Sequence, residues 1–183
     1  MMRVFRAAVF VWLAAVAPPG AGAPVTRGAE PASAAASAGK PDAAETLIRD
    51  VPHVRQRPDF CGEACAEMYL RKLGRKLDQN HVFGCSGVAP ELGRGCRTAE
   101  LNAALRKIGF KTGAVWTRVE AARAAEELER QWLALRDDLA SGVPSIVCMR
   151  YSDKPDAPEH FRLVLGHDPN ADEVIYHEPA EDR

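Results

Sequence analysis

The sequence has no excess of charge of either sign. Its 24 lysine and arginine residues are balanced by 25 aspartate and glutamate residues, which gives a formal net charge of −1. No segment carries a stripe of lysine and arginine. Proteins that bind nucleic acid through its phosphates present such a basic surface, so we expect no nucleic-acid partner.

The sequence also lacks an apolar run long enough for a membrane span, which takes about 20 residues. Its N-terminus instead has a positive start at Arg3 and Arg6, a short apolar run over residues 7–16, and small residues at positions 21–23. This combination is typical of a secretory signal peptide, which we assign to residues 1–23; an uncleaved N-terminal anchor is the alternative. We therefore predict a secreted or periplasmic protein with no stable membrane association after signal cleavage.

Residues 24–46 have almost no large apolar side chains and consist mostly of alanine, proline, serine and glycine. Such a segment cannot bury enough apolar surface to fold, so its composition predicts a flexible spacer. The remaining residues 47–183 have the length of one ordinary domain, and no internal repeat divides them.

The domain changes character along its length. Three segments have the apolar spacing of helices, and each runs into a glycine. They begin near Cys61, Thr98 and Val119. The later part consists of the β-rich runs PSIVCMRY, FRLVLGHD and EVIYHEP, separated by turn sequences. Helices followed by strands predict an α+β fold, in which a helical half packs on an antiparallel sheet. We also expect a loop over residues 80–97 and a short strand over residues 111–116.

Five cysteines are present, so an exported chain would keep at least one without a disulfide partner. Cys85 and Cys96 flank a glycine-rich loop, and we expect a disulfide between them in an oxidising compartment. A metal site that also uses His81 is the alternative, although its spacing matches no standard zinc pattern. Cys65 and Cys148 have apolar neighbours in sequence and are predicted to be core residues.

Cys61 lies within the stretch PDFCGEACAEMYL, at the predicted start of a helix. Unpaired backbone N–H groups and the positive end of the helix dipole favour a thiolate there, and the thiolate is the reactive form of cysteine. Asp59 can cap this helix, but its negative charge disfavours the thiolate unless its side chain is occupied in this way. Cys61 is therefore our candidate nucleophile, and a core cysteine at a helix start is the alternative.

A cysteine nucleophile needs a base and a group that orients the base. His160 precedes the β run FRLVLG, which would aim its side chain rigidly. His167 and Asp168 lie at the far end of the same strand and are poor partners for it, because an extended strand rises about 3.3 Å per residue. A hairpin at residues 168–172 would instead return Glu178 to the level of His160, where it could orient the imidazole.

The order of these residues resembles that of a known family. Gln56 precedes Cys61-Gly62, His160 opens the run HFRLVLG, and Glu178-Pro179 follows. This is similar to papain-like cysteine peptidases of the bacteriocin-processing type (the C39-like family). That family has a glutamine before Cys-Gly, a His-Φ-x-Φ-Φ-x-Gly strand and then Asp-Pro. The run DDLASGVPSIVCM also resembles the family's passage from helix to strand. The resemblance extends from Val51 to the C-terminus.

The resemblance implies a papain-like fold and an exported thiol hydrolase that cleaves peptide bonds through a thioester intermediate. It implies that Cys61 is the nucleophile, that His160 is the general base and that Gln56 donates to the oxyanion. Glu178 would take the place of the family's aspartate, with Asp168 and Asp182 as alternative orienters. No cofactor and no metal are implied. The expected partner is a peptide or protein substrate, and we expect a monomer.

Two other functions fit the same residues. One is a catalytically inactive papain-like domain that binds peptides, and the other is an acyl or peptidyl transferase in which an amine replaces water. The chain stops five residues after Glu178, where the sheet of this family usually continues. The resemblance therefore predicts either a fragment or a domain that is trimmed at its C-terminus.

Overall fold

A computed structural model of the chain describes residues 13–14, 46–154 and 156–182. The predicted signal peptide and spacer lie outside the described residues, apart from Leu13–Ala14 and Thr46. Leu13–Ala14 forms a two-residue strand, β1, that pairs with residues 145–146. Within the described ranges, no helix is long and apolar enough to cross a membrane.

The sheet is antiparallel and is built around one long strand. Its strands are β2 (Thr46–Leu47), β3 (Ser145–Arg150), β4 (Glu159–Asp168) and β5 (Glu173–His177). The central strand β4 pairs with β2, β3 and β5, and β1 lies beyond β3. Consecutive residues of β4 are buried, so packing covers both of its faces.

The hairpin from β4 to β5 forms as predicted. Its register places His177 opposite Leu163, with a β-bulge between Val164 and Gly166. The residue after His177 therefore comes back beside Arg162 and close to His160. This return brings the end of the chain to the start of β4.

Four helices form the other half of the domain. They are α1 (Cys61–Lys72), α2 (Gln79–Ser86), α3 (Thr98–Ile108) and α4 (Ala124–Ala140). Every residue of α1 from Gly62 to Leu70 is buried, because α2, α3 and the strands β3 and β4 surround it. The predicted α+β fold is confirmed, and α1 is its central helix.

Three local predictions were wrong. The segment expected to be a loop contains α2, which Asp78 caps by accepting the His81 N–H, and a short 3₁₀ turn at Pro90–Leu92. The strand expected over residues 111–116 does not form. The last helix begins at Ala124, and a 3₁₀ turn at Ala121–Arg123 precedes it. The loop was predicted because the segment is rich in glycine. A helix of eight residues forms there nevertheless, because Asp78 caps its N-terminus.

Candidate active site

His160 and Glu178 form a close pair at the start of β4. The His160 Nε2 atom lies 2.5 Å from the Glu178 Oε1 atom, and their side chains are 9% and 12% exposed. Tyr151 covers the imidazole with an edge contact at 5.1 Å between ring centroids. The bond at Nε2 fixes the orientation of the ring and leaves Nδ1 as the nitrogen free of Glu178.

Several groups hold the Glu178 carboxylate in place. Oε1 also accepts the Ala180 N–H at 3.0 Å, and Oε2 accepts the Arg162 Nε–H at 2.7 Å. Burial alone would raise the pKa of the Glu178 carboxyl. The Ala180 N–H, the His160 ring and the Arg162 guanidinium outweigh burial and hold that pKa below its ordinary value. Glu178 is therefore an ionised acceptor for His160.

The aspartates that were considered as alternative orienters lie elsewhere. Asp168 accepts N–H groups of the β4–β5 turn, at 2.8 Å from Asn170 N. Asp182 pairs with Arg55 at 2.5 Å on the surface. His167 packs against the Trp132 ring at 4.8 Å and lies 3.9 Å from Asp172. Glu178 is thus the acid that reaches His160.

Cys61 is the first residue of α1, as predicted, and its side chain is partly exposed. The backbone N–H groups of Phe161, Gly62 and Cys61 act on the thiol and lower its pKa, although burial raises that pKa by more. Phe161 directly follows His160 on β4. The thiol therefore lies near the backbone of β4, at the residue that follows His160.

Gly62 allows this close approach of α1 to its neighbours. A Cβ atom at this position would lie 2.8 Å from Leu101 Cδ2 and 3.1 Å from Phe161 Cδ2. Both distances are shorter than ordinary carbon contacts. Any larger residue would require the Leu101 or Phe161 side chain to move, so glycine lets the helix start pack against α3 and β4 at the same time.

The helix start does not make Cys61 a ready thiolate, and this part of the sequence interpretation was wrong. Burial raises the pKa of the Cys61 thiol, and the Glu63 carboxylate raises it further, against the lowering effect of the backbone N–H groups. Asp59 does not cap the helix. It has a positive φ of 62°, and the N-cap residue, Phe60, makes no side-chain cap bond. The thiol is therefore protonated until a base removes its proton.

Glu63 is a buried acid two residues after the nucleophile, and it was missed in the sequence. Its Oε1 atom accepts the Cys96 N–H at 2.7 Å, while Oε2 is buried without a hydrogen-bond partner among the described residues. Burial raises the pKa of the Glu63 carboxyl. The bond to Cys96 holds the glycine-rich loop against the start of α1.

Gly95 makes this loop contact possible. A Cβ atom on Gly95 would lie 2.0 Å from the carbonyl oxygen of Asp59, which is a severe clash with backbone. The loop therefore packs directly on the segment that leads into Cys61. The sequence pattern showed the glycines but not what they contact.

The segment around Gln56 is held from two sides. The Gln56 N–H donates to Pro179 O at 2.8 Å, so only its side-chain amide is left to serve an oxyanion. Gln79 of α2 accepts the Arg57 N–H at 2.8 Å and donates to Arg55 O at 3.1 Å. The Gln56 Oε1 atom is buried and has no hydrogen-bond partner among the described residues. Gln79 was missed in the sequence because the rest of its helix, residues 80–86, was predicted to be part of a loop.

All five cysteines are free thiols, so the expected Cys85–Cys96 disulfide is not formed. Cys96 is buried instead, and its N–H donates to Glu63 Oε1. Cys65 and Cys148 are buried, as predicted, and burial raises the pKa of the Cys148 thiol to about 12. No group of metal-binding side chains occurs among the described residues, at Cys85, Cys96 and His81 or elsewhere.

A cavity of about 460 Å³ lies beside Glu178 and Arg162. It is lined by His53, Tyr151, Tyr176, His177 and acidic residues near the end of the chain. Neither Cys61 nor His160 lines it. The cavity therefore borders the carboxylate of the pair and not the thiol.

Comparison with known proteins identifies a family for the domain. Neither a search of curated proteins nor a search of solved structures found a significant match. A scan against family models matched residues 48–183, which is well over half of the chain and includes every residue of the candidate site. The chain belongs to the Peptidase_C39 like family.

Proposed function

We propose that this protein is an active cysteine peptidase that works outside the cytoplasm through Cys61, His160 and Glu178. Membership of a peptidase family implies peptide substrates. The observation that carries the proposal is the hydrogen bond between His160 Nε2 and Glu178 Oε1. His160 directly precedes Phe161, whose backbone N–H acts on the Cys61 thiol. A nucleophile, a base and an oriented acid in this order are what thiol hydrolysis requires.

In the first half of the reaction, His160 Nδ1 takes the proton of the Cys61 thiol while the sulfur attacks the carbonyl carbon of the substrate. The carbonyl oxygen becomes an oxyanion. The side-chain amide of Gln56 and the backbone N–H groups at the start of α1 stabilise it. Glu178 stabilises the imidazolium that forms.

In the second half, the C–N bond of the substrate breaks. The imidazolium gives its proton to the leaving amine, and the acyl group remains on Cys61 as a thioester. His160 then takes a proton from water as the water oxygen attacks the thioester carbon. The C–S bond breaks, the carboxylic acid is released, and the imidazolium returns its proton to the sulfur, which restores the thiol and the neutral base.

Because the thiol is protonated before substrate binds, His160 must remove its proton during the reaction. Burial and Glu63 raise the pKa of Cys61, so little thiolate exists before substrate binds. His160 therefore acts as a general base during the attack, and it does not store a thiolate–imidazolium pair beforehand. This role makes the reaction depend strongly on His160.

The proposal is tested by incubating the purified chain with a mixture of peptides of known sequence and identifying products by mass spectrometry. Wild type is compared with Cys61→Ala and with Cys85→Ala, since Cys85 is another partly exposed thiol of the chain. Wild type and Cys85→Ala are expected to cleave peptides in the mixture, and Cys61→Ala is expected to cleave none. Hydroxylamine added to the reaction should give hydroxamate products from the thioester. The absence of cleavage by wild type across the mixture would contradict the proposal.

An inactive peptide-binding domain is the second candidate. It is favoured by the raised pKa of Cys61 and by Glu178 in place of the family's aspartate. This candidate predicts that wild type and Cys61→Ala bind the same peptides with equal affinity and that neither cleaves them. Binding without cleavage in the peptide mixture would support it.

The extracellular or periplasmic location is part of the proposal and depends on the N-terminal sequence. Expression of the full chain in a secreting host, followed by N-terminal sequencing of the exported protein, tests it. A mature N-terminus near residue 24 is expected. A full-length chain that stays inside the cell would contradict it.

A further inference from the structure

A charged side chain lies in the middle of the buried strand β4. Arg162 is 7% exposed, and its neighbours along the strand are Phe161 and Leu163, which are also buried. A buried guanidinium is costly unless it is paired and its N–H groups are bound. Its partners therefore indicate why it is tolerated at this position.

The partners of Arg162 converge on the orienting acid. Its Nε atom donates to Glu178 Oε2 at 2.7 Å. Its two terminal nitrogens donate to the carbonyl oxygens of Arg150 at 3.3 Å and Tyr151 at 3.2 Å. The guanidinium is thus fixed to the end of β3 on one side and to the carboxylate on the other.

Two aromatic rings hold the guanidinium in this position. Its central carbon lies 5.6 Å from the Tyr151 ring centroid and 5.2 Å from the Tyr176 ring centroid. These are cation–π distances. Tyr151 also contacts the His160 ring, so one side chain packs against both the arginine and the base.

Glutamate needs such a support more than aspartate would. Its side chain has one more rotatable bond, so its carboxylate can take more orientations. Here each oxygen is bound separately, Oε1 by His160 and Ala180 and Oε2 by Arg162. Binding both oxygens fixes the plane of the carboxylate and keeps Oε1 in front of His160 Nε2.

We propose that Arg162 is a positioning residue that holds Glu178 in the orientation in which it supports His160. This inference rests on the proposed function, because it assigns a role within the same triad. Arg162 contacts Glu178, two carbonyl oxygens and two aromatic rings, and none of these contacts is with Cys61. It acts through Glu178, and Tyr151 and Tyr176 keep it in place.

The test uses the full chain as wild type, His160→Ala, Arg162→Gln and Arg162→Lys. Arg75→Gln is the matched control, because Arg75 also donates to a carbonyl oxygen and lies over an aromatic ring but is not near Glu178. The rate at which iodoacetamide alkylates Cys61 is measured across pH, and thermal melting monitors folding. The difference between the alkylation rates of wild type and His160→Ala is the His160-dependent rate, and it measures how well His160 acts as a base.

In Arg162→Gln, the His160-dependent rate is expected to fall by about 10- to 100-fold, which is typical when a catalytic group is misplaced by about 1 Å. Its acid limb should move to higher pH, because losing the guanidinium raises the pKa of Glu178. Arg162→Lys restores the charge but not the forked set of donors, so it should recover the acid limb and only part of the rate. Arg75→Gln should match wild type.

A folded Arg162→Gln with the wild-type rate and pH profile would overturn the proposal. The proposal would also be overturned if Arg162→Gln lowered the rate equally in a Glu178→Gln background, since the arginine would then not act through Glu178. If Arg162→Gln does not fold, a wild-type profile in Arg162→Lys decides against it.

A second readout separates this inference from the proposed function. Nitrogen-15 NMR of the His160 ring reports whether Nε2 carries the proton that Glu178 accepts, and it needs no reactive thiol. Loss of that protonation state in Arg162→Gln supports the positioning role even if Cys61 is unreactive. An unchanged state contradicts it even if Cys61 is reactive.

Discussion

The base side and the nucleophile side of the candidate site are positioned by different forces. On the base side, hydrogen bonds fix the polar atoms of His160, Glu178 and Arg162. On the nucleophile side, close packing fixes Cys61: Gly62 lies against Leu101 and Phe161, and Gly95 lies against the Asp59 carbonyl. Its buried acid, Glu63, has one oxygen without a partner among the described residues.

This difference separates the tasks of the two sides. The base must keep one orientation and change its charge, so it is bound by polar partners that tolerate the change. The thiol lies close to β4 and is largely buried, and burial raises its pKa against the lowering effect of the nearby backbone N–H groups. Substitutions on the base side should therefore lower activity more than stability, and substitutions on the nucleophile side should lower both.

The largest effect is expected from His160→Ala. Loss of the general base should reduce the rate of peptide cleavage by about 10²- to 10⁴-fold, with little change in melting temperature. His167→Ala is the matched control, because His167 lies on the same strand, is equally buried and also faces an aspartate. Equal losses in the two variants would show that the effect comes from the strand and not from the base.

Gly95→Ala tests the packing of the nucleophile side. The added Cβ atom would meet backbone at 2.0 Å, so the loop must move away from the start of α1. We expect a loss of about 1–3 kcal/mol in the free energy of unfolding, measured in urea, together with reduced peptide cleavage. Gly84→Ala is the control, since a Cβ atom there meets nothing within 4 Å. A Gly95→Ala variant as stable as Gly84→Ala would contradict the packing account.

Glu178→Asp tests whether the longer acid is matched to this site. The shorter side chain cannot reach His160 and Arg162 together from the same backbone position. Activity should fall by about tenfold, although aspartate is the residue usual in the family. Glu181→Asp, three residues later, is the control and should leave peptide cleavage unchanged. Increased activity in Glu178→Asp would indicate that Arg162 plays no part in the site.

The smallest effect is expected from Glu63→Gln, which removes a buried charge. Burial raises the pKa of Glu63 in the folded state above its value in the unfolded state. The protonated Glu63 side chain therefore contributes fully to stability below the unfolded-state pKa, and this contribution is lost as the pH rises through the folded-state pKa. The glutamine does not titrate. The free energy of unfolding of Glu63→Gln, relative to that of wild type, should therefore increase with rising pH. The expected change is about 1 kcal/mol, as for a buried polar group that lacks a hydrogen-bond partner. Melting curves between about pH 4 and pH 8 would measure this, and a constant difference would contradict it.

The sequence predicted the base side better than the nucleophile side. The hairpin register follows from strand spacing and turn residues, so Glu178 could be placed beside His160 before the fold was known. Arg162 was visible as a charge inside an apolar run, and that signal was not used. Its partner atoms could not be derived, because they come from two separate segments, the end of β3 and the residue after β5.

The nucleophile side depends on contacts between segments that are distant in sequence. The position of Cys61 at a helix start was predictable from local pattern. The raised pKa of its thiol was not, because burial by α3 and β4 outweighs the helix-start donors. The burial of Glu63 and the contact of Gly95 with Asp59 likewise join residues whose proximity no local pattern indicates.

The central claim is that His160 activates a thiol that is otherwise protonated. The most direct test is alkylation of Cys61 by iodoacetamide in wild type and His160→Ala, with the modified cysteine located by mass spectrometry and Cys85 as the reference thiol in the same chain. At about pH 7, wild-type Cys61 should react at least about tenfold faster than Cys61 in His160→Ala. In His160→Ala, Cys61 should react only at a pH above the range in which ordinary cysteine thiols ionise, because the pKa of Cys61 is raised. Equal rates in the two proteins would contradict the claim.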